Sequence, residues 1–292
     1  MTVLNIQNDT LSVNIKLTGA ELIGLEDLRD GVEHMWNADP KFWPRTAPIL
    51  FPTIGESRDG KVWFDGIDYP MGRHGFVRHL DFAVMRHDAD FIELQLVSNA
   101  VTKKHYPFDF KFRTSYRVEG SDLFHRFEVE NTGDKLLPFQ LGAHPAFAVP
   151  FGERGSFDDY EVRFSEKMSI DRHLLNAAGL YNGQTRRFLE NEDRFRLSYE
   201  MFNEDAIVLK DIPSRSVYIQ HKSGGKRLEV QYEQFHHLGI WSVPCANYVC
   251  IEPWIGAADR FDQSKDFLLK DSIIRVDPGN TFSATYEISL VH

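Results

Sequence analysis

Apolar and polar residues alternate with a period of two along most of this chain. In "KVWFDGIDYPM" (residues 61–71), Val62 and Phe64 fall on one arm and Ile67, Tyr69 and Met71 on the other, with Asp65-Gly66 between them. Asp-Gly supplies the positive φ angles of a tight primed turn, so the stretch predicts a hairpin. Three more hairpins are predicted in the same way. One turns at Asn131-Thr132-Gly133-Asp134 within "LFHRFEVENTGDKLLPFQLG". Another turns around Ser223-Gly224-Gly225 in "SVYIQHKSGGKRLEVQY", and the last around Asp277-Pro278-Gly279-Asn280 in "SIIRVDPGNTFSATYEISLV". The runs "FIELQLVS" and "FKFRTSYRV" alternate too and predict further strands. Helical signals are few and short: "DRHLLNAAGLYN" and "LENEDRFRLSYEMF" each have room for a turn or two.

Many Gly-bearing turns and almost no helix predict an all-β fold, a large antiparallel β-sandwich with few short helices. No repeat at solenoid period, low-complexity tract or linker-like segment interrupts the pattern, so residues 1–292 are expected to form a single domain. An aromatic content of 13%, with 23 Phe, fits strands and a ring-rich core. The formal charge of −10 disfavours nucleic acid and anionic membrane surfaces as partners. No run approaches the roughly 20 apolar residues of a membrane span. The opening "MTVLNIQNDTLSVNIKL" lacks the charged n-region and apolar block of a signal peptide, so a cytoplasmic location is expected. Cys245 and Cys250, read as five positions apart on one strand, would point to opposite faces, and both are expected to be reduced.

Candidate chemistry sits where a titratable residue interrupts apolar sequence. In "QLGAHPAF", His144 precedes Pro145, and that restricts His144 to extended backbone at a strand end. In "VCIEPWIG", Glu252 stands in an apolar run, where a carboxylate is costly unless paired or used, and it too precedes a proline. The bland alternatives are a hydrogen-bonded core histidine and a buried ion pair. "RHGFVRH" carries Arg73, His74, Arg78 and His79, which otherwise read as a solvated strand end. "WPRTAPILFPTIG" places Arg45 before a Pro- and Phe-rich run that reads as buried. "FNEDAIVL" opens an apolar strand with Asp205. Nucleotide-loop, nucleophile-elbow and HExxH motifs are missing, and the twelve histidines show no ligand spacing, so no metal and no cofactor are expected.

"APILFPTIG", "HGF", "GAHPAF" and "CIEPWIG", in this order and with "GAELIGLEDL" upstream, resemble the aldose 1-epimerase (galactose mutarotase) family, in its LacX-like branch. The resemblance spans nearly the whole chain. It implies the galactose mutarotase-like supersandwich with an open sugar cleft on one sheet. It implies His144 as general acid and Glu252 as general base, with His74 and Asp205 binding the sugar. Galactose mutarotases carry a binding arginine in a GRxxNRI-like segment. Here "PTIGESRDG" occupies that region, and Arg45 is the residue the branch offers instead; the departure leaves the identity of the sugar open.

Converting an α-aldose to its β-anomer needs a base to take the C1 hydroxyl proton and an acid to protonate the ring oxygen as C1–O5 breaks. Glutamate and histidine have suitable ordinary pKa values. An acidic cleft would favour a protonated His144, whose actual state depends on neighbours the sequence does not place, and the two groups are expected on opposite sides of the reacting bond. Trp254 or Phe147 is expected to stack on the sugar's apolar face. The expected partner is a small-molecule sugar, an aldohexose or its phosphate. The phosphate alternative, a hexose-6-phosphate 1-epimerase, requires Arg45, Arg73, Arg78 and Lys104, or some of them, to converge on the cleft. A non-catalytic sugar-binding protein on the same fold is the remaining alternative.

Overall fold

Strand alternation builds the molecule as its pattern requires. In this computed structural model, residues 2–152 and 154–292 are described. The Phe110–Glu119 strand buries Phe110, Phe112, Thr114, Tyr116 and Val118 and turns the residues between them outward. Its partner, Asp122–Asn131, does the same with Leu123, His125, Phe127, Val129 and Asn131. These belong to a 15-stranded antiparallel sheet, and a four-stranded sheet (Val3–Gln7, Leu11–Lys16, Glu21–Asp27 and Val32–Glu33) sends Ile6, Leu11, Val13 and Ile15 into the same core. The described residues include no α-helix, only six short 3₁₀ turns. None of their helices is long and apolar enough to cross a membrane.

Two of the four hairpins form as predicted. Lys61–Phe64 pairs with Ile67–Pro70, with Asp65 (φ 47°) and Gly66 (φ 86°) in the left-handed turn. Ser216–His221 pairs with Arg227–Gln231. The other two turns exist but close no hairpin. Asp122–Asn131 pairs with Thr281–Val291 instead of folding back on the chain beyond its own turn, and the two turns lie back to back. Asn131 N–H donates to the Asn280 carbonyl (3.0 Å) and Gly279 N–H to the Asn131 carbonyl (2.9 Å). Beyond them Leu137–Phe139 pairs with Ile274–Val276 as a separate ribbon. One antiparallel pair therefore turns a corner as a unit, pinned from inside by the Asn131 amide, which donates to the Lys135 and Val276 carbonyls. Local alternation marks where each strand ends but not which distant strand it meets.

The two predicted helical stretches are mostly strand. Asp171–Leu175 ends the 16-residue strand Tyr160–Leu175, which pairs with Tyr181–Arg196; only Tyr199–Phe202 winds into a 3₁₀ turn. Register shifts between Arg163 and Leu175 break the period of two, which explains why the sequence reads otherwise. Cys250 is buried in Tyr248–Ile255, whereas Cys245 is exposed in the preceding turn (φ 68°), so the two cysteines do not share a strand.

Candidate active site

One end of the large sheet runs, neighbour to neighbour, Ile49–Leu50, Leu141–Ala143, Tyr248–Ile255, His237–Trp241, Ile207–Leu209. Leu141–Ala143 and Ala146–Ala148 both pair with Tyr248–Ile255, and His144-Pro145 is the break between them. Pro145 has no N–H to donate, and its carbonyl accepts from Ile251 N–H (3.1 Å). The register on either side, Gly142 with Trp254 and Ala146 with Cys250, sets His144 across from Glu252. Their side chains meet, Nε2 to Oε2, at 3.2 Å. On its other side Glu252 faces Gly239, which has no side chain to compete for the space.

The pair stands in a pocket of about 310 Å³, at the small end of the roughly 300–1,000 Å³ usual for small-molecule sites. His144 stacks on Trp43 (centroids 4.9 Å apart, planes at 24°) and meets Trp241 edge-on at 5.8 Å. Trp254 lies flat over two glycines: a Cβ on Gly239 would sit 2.5 Å from its ring, and one on Gly142 2.7 Å. The sheet thus leaves a shelf for the indole. Trp254 Nε1 and Tyr181 Oη both line the pocket, are buried, and have no hydrogen-bond partner among the described residues. Unpaired buried polar atoms are rare, and two in one wall suit a ligand rich in hydroxyls.

His74 approaches from a loop that locks onto the "LFP" segment. His74 N–H donates to the Gly55 carbonyl (2.8 Å), and Gly55 N–H donates back to His74 Nδ1 (3.0 Å). With Nδ1 accepting, the neutral ring carries its proton on Nε2. Phe76 N–H donates to the Phe51 carbonyl (3.0 Å) across Gly75, where φ is +72° and a Cβ would stand 2.0 Å from that carbonyl oxygen. Gly75→Ala is therefore expected to cost about 1–2 kcal/mol from the left-handed backbone alone, before the overlap is counted. Chemical denaturation would show it as a lower midpoint at unchanged slope. A midpoint equal to wild type would mean that this loop is not locked as described.

Asp205 also reaches the pocket, from the turn before Ile207–Leu209, with φ at 70° and one oxygen held by Ala206 N–H (2.8 Å). Arg45 lines it too, with Nη2 3.2 Å from His79 Nδ1. Of the seven residues expected from the sequence, Phe147 alone is elsewhere. It is fully buried in the main core, bridging to Met35, because Ala146–Ala148 alternates its faces and His144 takes the pocket side. Sequence reasoning missed Tyr181, Trp43 and Glu56. Tyr181 has no motif around it, and Trp43 was readable only as the neighbour of Pro44-Arg45.

Electrostatics supply what the sequence left open, the protonation of His144. His144 is not kept protonated: burial, reinforced by the charges of Arg78 and Arg45, brings it down to about 3. Burial, then the nearby Asp205 charge, pushes Glu252 well above the usual carboxylate range. Burial, then His144, Arg78 and Arg73, holds His74 well below its ordinary value. The pair in contact therefore shares one proton that burial places on Glu252, with His144 neutral. Nor do the two groups stand on opposite sides of a gap; they touch. Cys250 adds a third donor within 4.8 Å, a set that could ligate a metal. Burial, then Glu252, keeps that thiol well above its ordinary value.

Residues 2–289 match the family model described as aldose 1-epimerase. The chain is 32% identical over 299 residues to the chromosomal protein LacX of Lactococcus lactis subsp. lactis, covering 99% of each. It superposes on a galactose mutarotase related enzyme from Lactobacillus acidophilus with TM-score 0.93 and 30% identity, covering 100% of this chain and 98% of that one. A galactose mutarotase-like protein from Lactobacillus casei gives TM-score 0.93 at 27% identity, covering 99% and 100%. The family match spans nearly the whole chain, the relative and the solved structures cover its full length, and the chain belongs to the aldose 1-epimerase family.

Proposed function

We propose that the protein interconverts the α and β anomers of a hexose by opening and reclosing the ring, with Glu252 as base and His144 as acid. Family membership supports a sugar substrate and epimerase chemistry. The observation that carries the assignment is the 3.2 Å contact between two buried, complementary proton carriers inside a pocket with aromatic walls. The two oxygens that exchange protons, O1 and O5, are both bonded to C1, so acid and base belong side by side. Ring opening moves the O1 proton to Glu252 while His144 protonates O5. After rotation about C1–C2, closure reverses both transfers. The active tautomer, Glu252 ionised and His144 protonated, has the same charge as the resting one and differs by one proton shift across the contact. His74 Nε2–H, the free Asp205 oxygen, Tyr181 Oη and Trp254 Nε1 are suited to hold the hydroxyls, Arg45 to hold the substrate's rim, and the Trp254 ring to cover the apolar face.

Proton NMR of freshly dissolved α-glucose and α-galactose tests this. Faster approach to the same anomer equilibrium is expected, in proportion to enzyme; no acceleration with any hexose or hexose phosphate would leave a binding protein.

The pKa shifts give a sign for the pH profile. A second proton on the pair stops the reaction, and His144 accepts it only near pH 3. Loss of the shared proton also stops it, and that is delayed by the raised Glu252. With a neutral hexose, kcat/KM is expected to stay flat from pH 5 to pH 7 rather than fall around 6.5. A half-maximal point between pH 6 and 7 would contradict the buried, neutral His144.

A further inference from the structure

Alternation along Tyr248–Ile255 puts Tyr248, Cys250, Glu252 and Trp254 on one face of the strand. Trp43 stacks on both His144 (centroids 4.9 Å apart) and Tyr248 (5.9 Å), so His144 lies over that same face. In register, Cys250 stands between Ala146 and Trp241. A His144 ring nitrogen, the Cys250 sulfur and a Glu252 carboxylate oxygen come within 4.8 Å of one another, and all three residues are buried. Anomer exchange uses two of these groups and leaves the thiol without a task. A buried cysteine is ordinarily a small apolar residue. Beside an imidazole and a carboxylate that both line a pocket, it completes a donor set of nitrogen, sulfur and oxygen. No sequence motif marks this set, because its donors come from two distant segments.

The spacing suits a tetrahedral ion. Two bonds of about 2.0–2.1 Å at the tetrahedral angle leave nitrogen and oxygen donors roughly 3.3 Å apart. His144 Nε2 and Glu252 Oε2 are 3.2 Å apart. A thiolate at about 2.3 Å from the ion belongs roughly 3.5 Å from each of them, so only the sulfur has to draw in. We infer that His144, Cys250 and Glu252 form a site for one thiophilic divalent cation of the zinc class, and that its occupation switches the epimerase reaction off. Calcium and magnesium take oxygen ligands and are excluded by the sulfur and the imidazole. Three protein ligands leave the fourth to a water or a sugar hydroxyl from the pocket. Binding releases two protons to solvent, one from the thiol and the one shared by His144 and Glu252. Thiolate and carboxylate then cancel the charge of the ion, as burial requires. With both proton carriers bonded to the ion, nothing remains to take the O1 proton or to supply one to O5. That consequence rests on the epimerase reading, whereas the site itself stands on the three donors.

Cobalt(II), which occupies zinc sites and is coloured, reports the ligands directly. The full chain, freed of metal by a chelator and kept reduced with a phosphine, is titrated with cobalt. One bound ion is expected, with the strong visible bands of four-coordination and a near-ultraviolet thiolate-to-cobalt band. Cys250→Ala should abolish the thiolate band, and Cys245→Ser, at the exposed cysteine, should keep it. Glu252→Gln and His144→Gln should each weaken cobalt binding roughly 100-fold, the upper end of what even an outer partner of a ligand contributes. In anomer exchange, saturating zinc should lower turnover roughly 100-fold or more, as for loss of a general acid–base group. A chelator should restore the rate, and added sugar should compete with the metal. Cys250→Ala should keep its metal-free rate and need roughly 100-fold more zinc for the same inhibition. No cobalt binding, a thiolate band that survives Cys250→Ala, or equal zinc inhibition in that variant and wild type would overturn the site. Zinc bound with turnover unchanged or raised would overturn the switch. If Cys250→Ala does not fold, the wild-type thiolate band and the weaker binding of the two glutamine variants decide. If no hexose is turned over, the epimerase reading fails, and the cobalt titration decides the site alone.

Discussion

Glu252→Gln is expected to lower kcat by about 10³-fold, the middle of the range for one general acid–base group, while leaving the fold at least as stable as wild type. Glutamine keeps the shape and can still hydrogen-bond His144, but it cannot take a proton from O1. Stability should move the other way because Glu252 is buried and its pKa is raised. In the unfolded chain the carboxyl ionises near its ordinary 4.5, whereas in the folded protein it holds its proton to higher pH. Wild type therefore loses stability as pH rises from 4.5 through the raised value, and the glutamine variant does not. The melting temperature of the variant relative to wild type should climb between pH 5 and pH 8. Calorimetry at both pH values, beside anomer-exchange rates, checks the two together. A variant that is inactive but also less stable at pH 8 would point to a structural carboxylate, and one that keeps wild-type turnover would remove Glu252 from the mechanism.

That opposition between activity and stability explains which parts of the site the sequence revealed. His144 and Glu252 stand out because each violates its surroundings, a titratable group in apolar strand sequence, and each is stiffened by the proline after it. Their mutual contact was not legible. It depends on the register of Tyr248–Ile255 against two short strands more than 90 positions away in the chain, and the alternation of either segment is silent about that partner. The two failed hairpins have the same origin: "NTGD" and "DPGN" are sound turns whose flanking strands pair with each other across the molecule. The charge at the site was not legible either: the protonation of His144 depends on neighbours the sequence does not place, and three arginines concentrate at this one pocket beside the larger effect of burial. His74 was recognisable by its motif, yet its tautomer follows from Gly55, a residue with no chemistry of its own.

The sharing of one proton makes a second strong prediction. His144→Gln should also reduce kcat by about 10³-fold, because glutamine fills the space beside Glu252 without titrating. If acid and base acted independently, the double variant His144→Gln/Glu252→Gln would lose the product of the two effects, about 10⁶-fold. The 3.2 Å contact argues against independence. With either partner gone, the other can no longer hand its proton across, and the remaining rate comes from binding and orientation alone. The double variant is therefore expected within about tenfold of the slower single one, as for residues that work as a unit. Exchange rates for the four proteins, corrected for the spontaneous reaction, complete the cycle. Multiplicative losses would mean that His144 and Glu252 exchange protons with solvent separately and that their contact in the empty pocket is not part of the reaction.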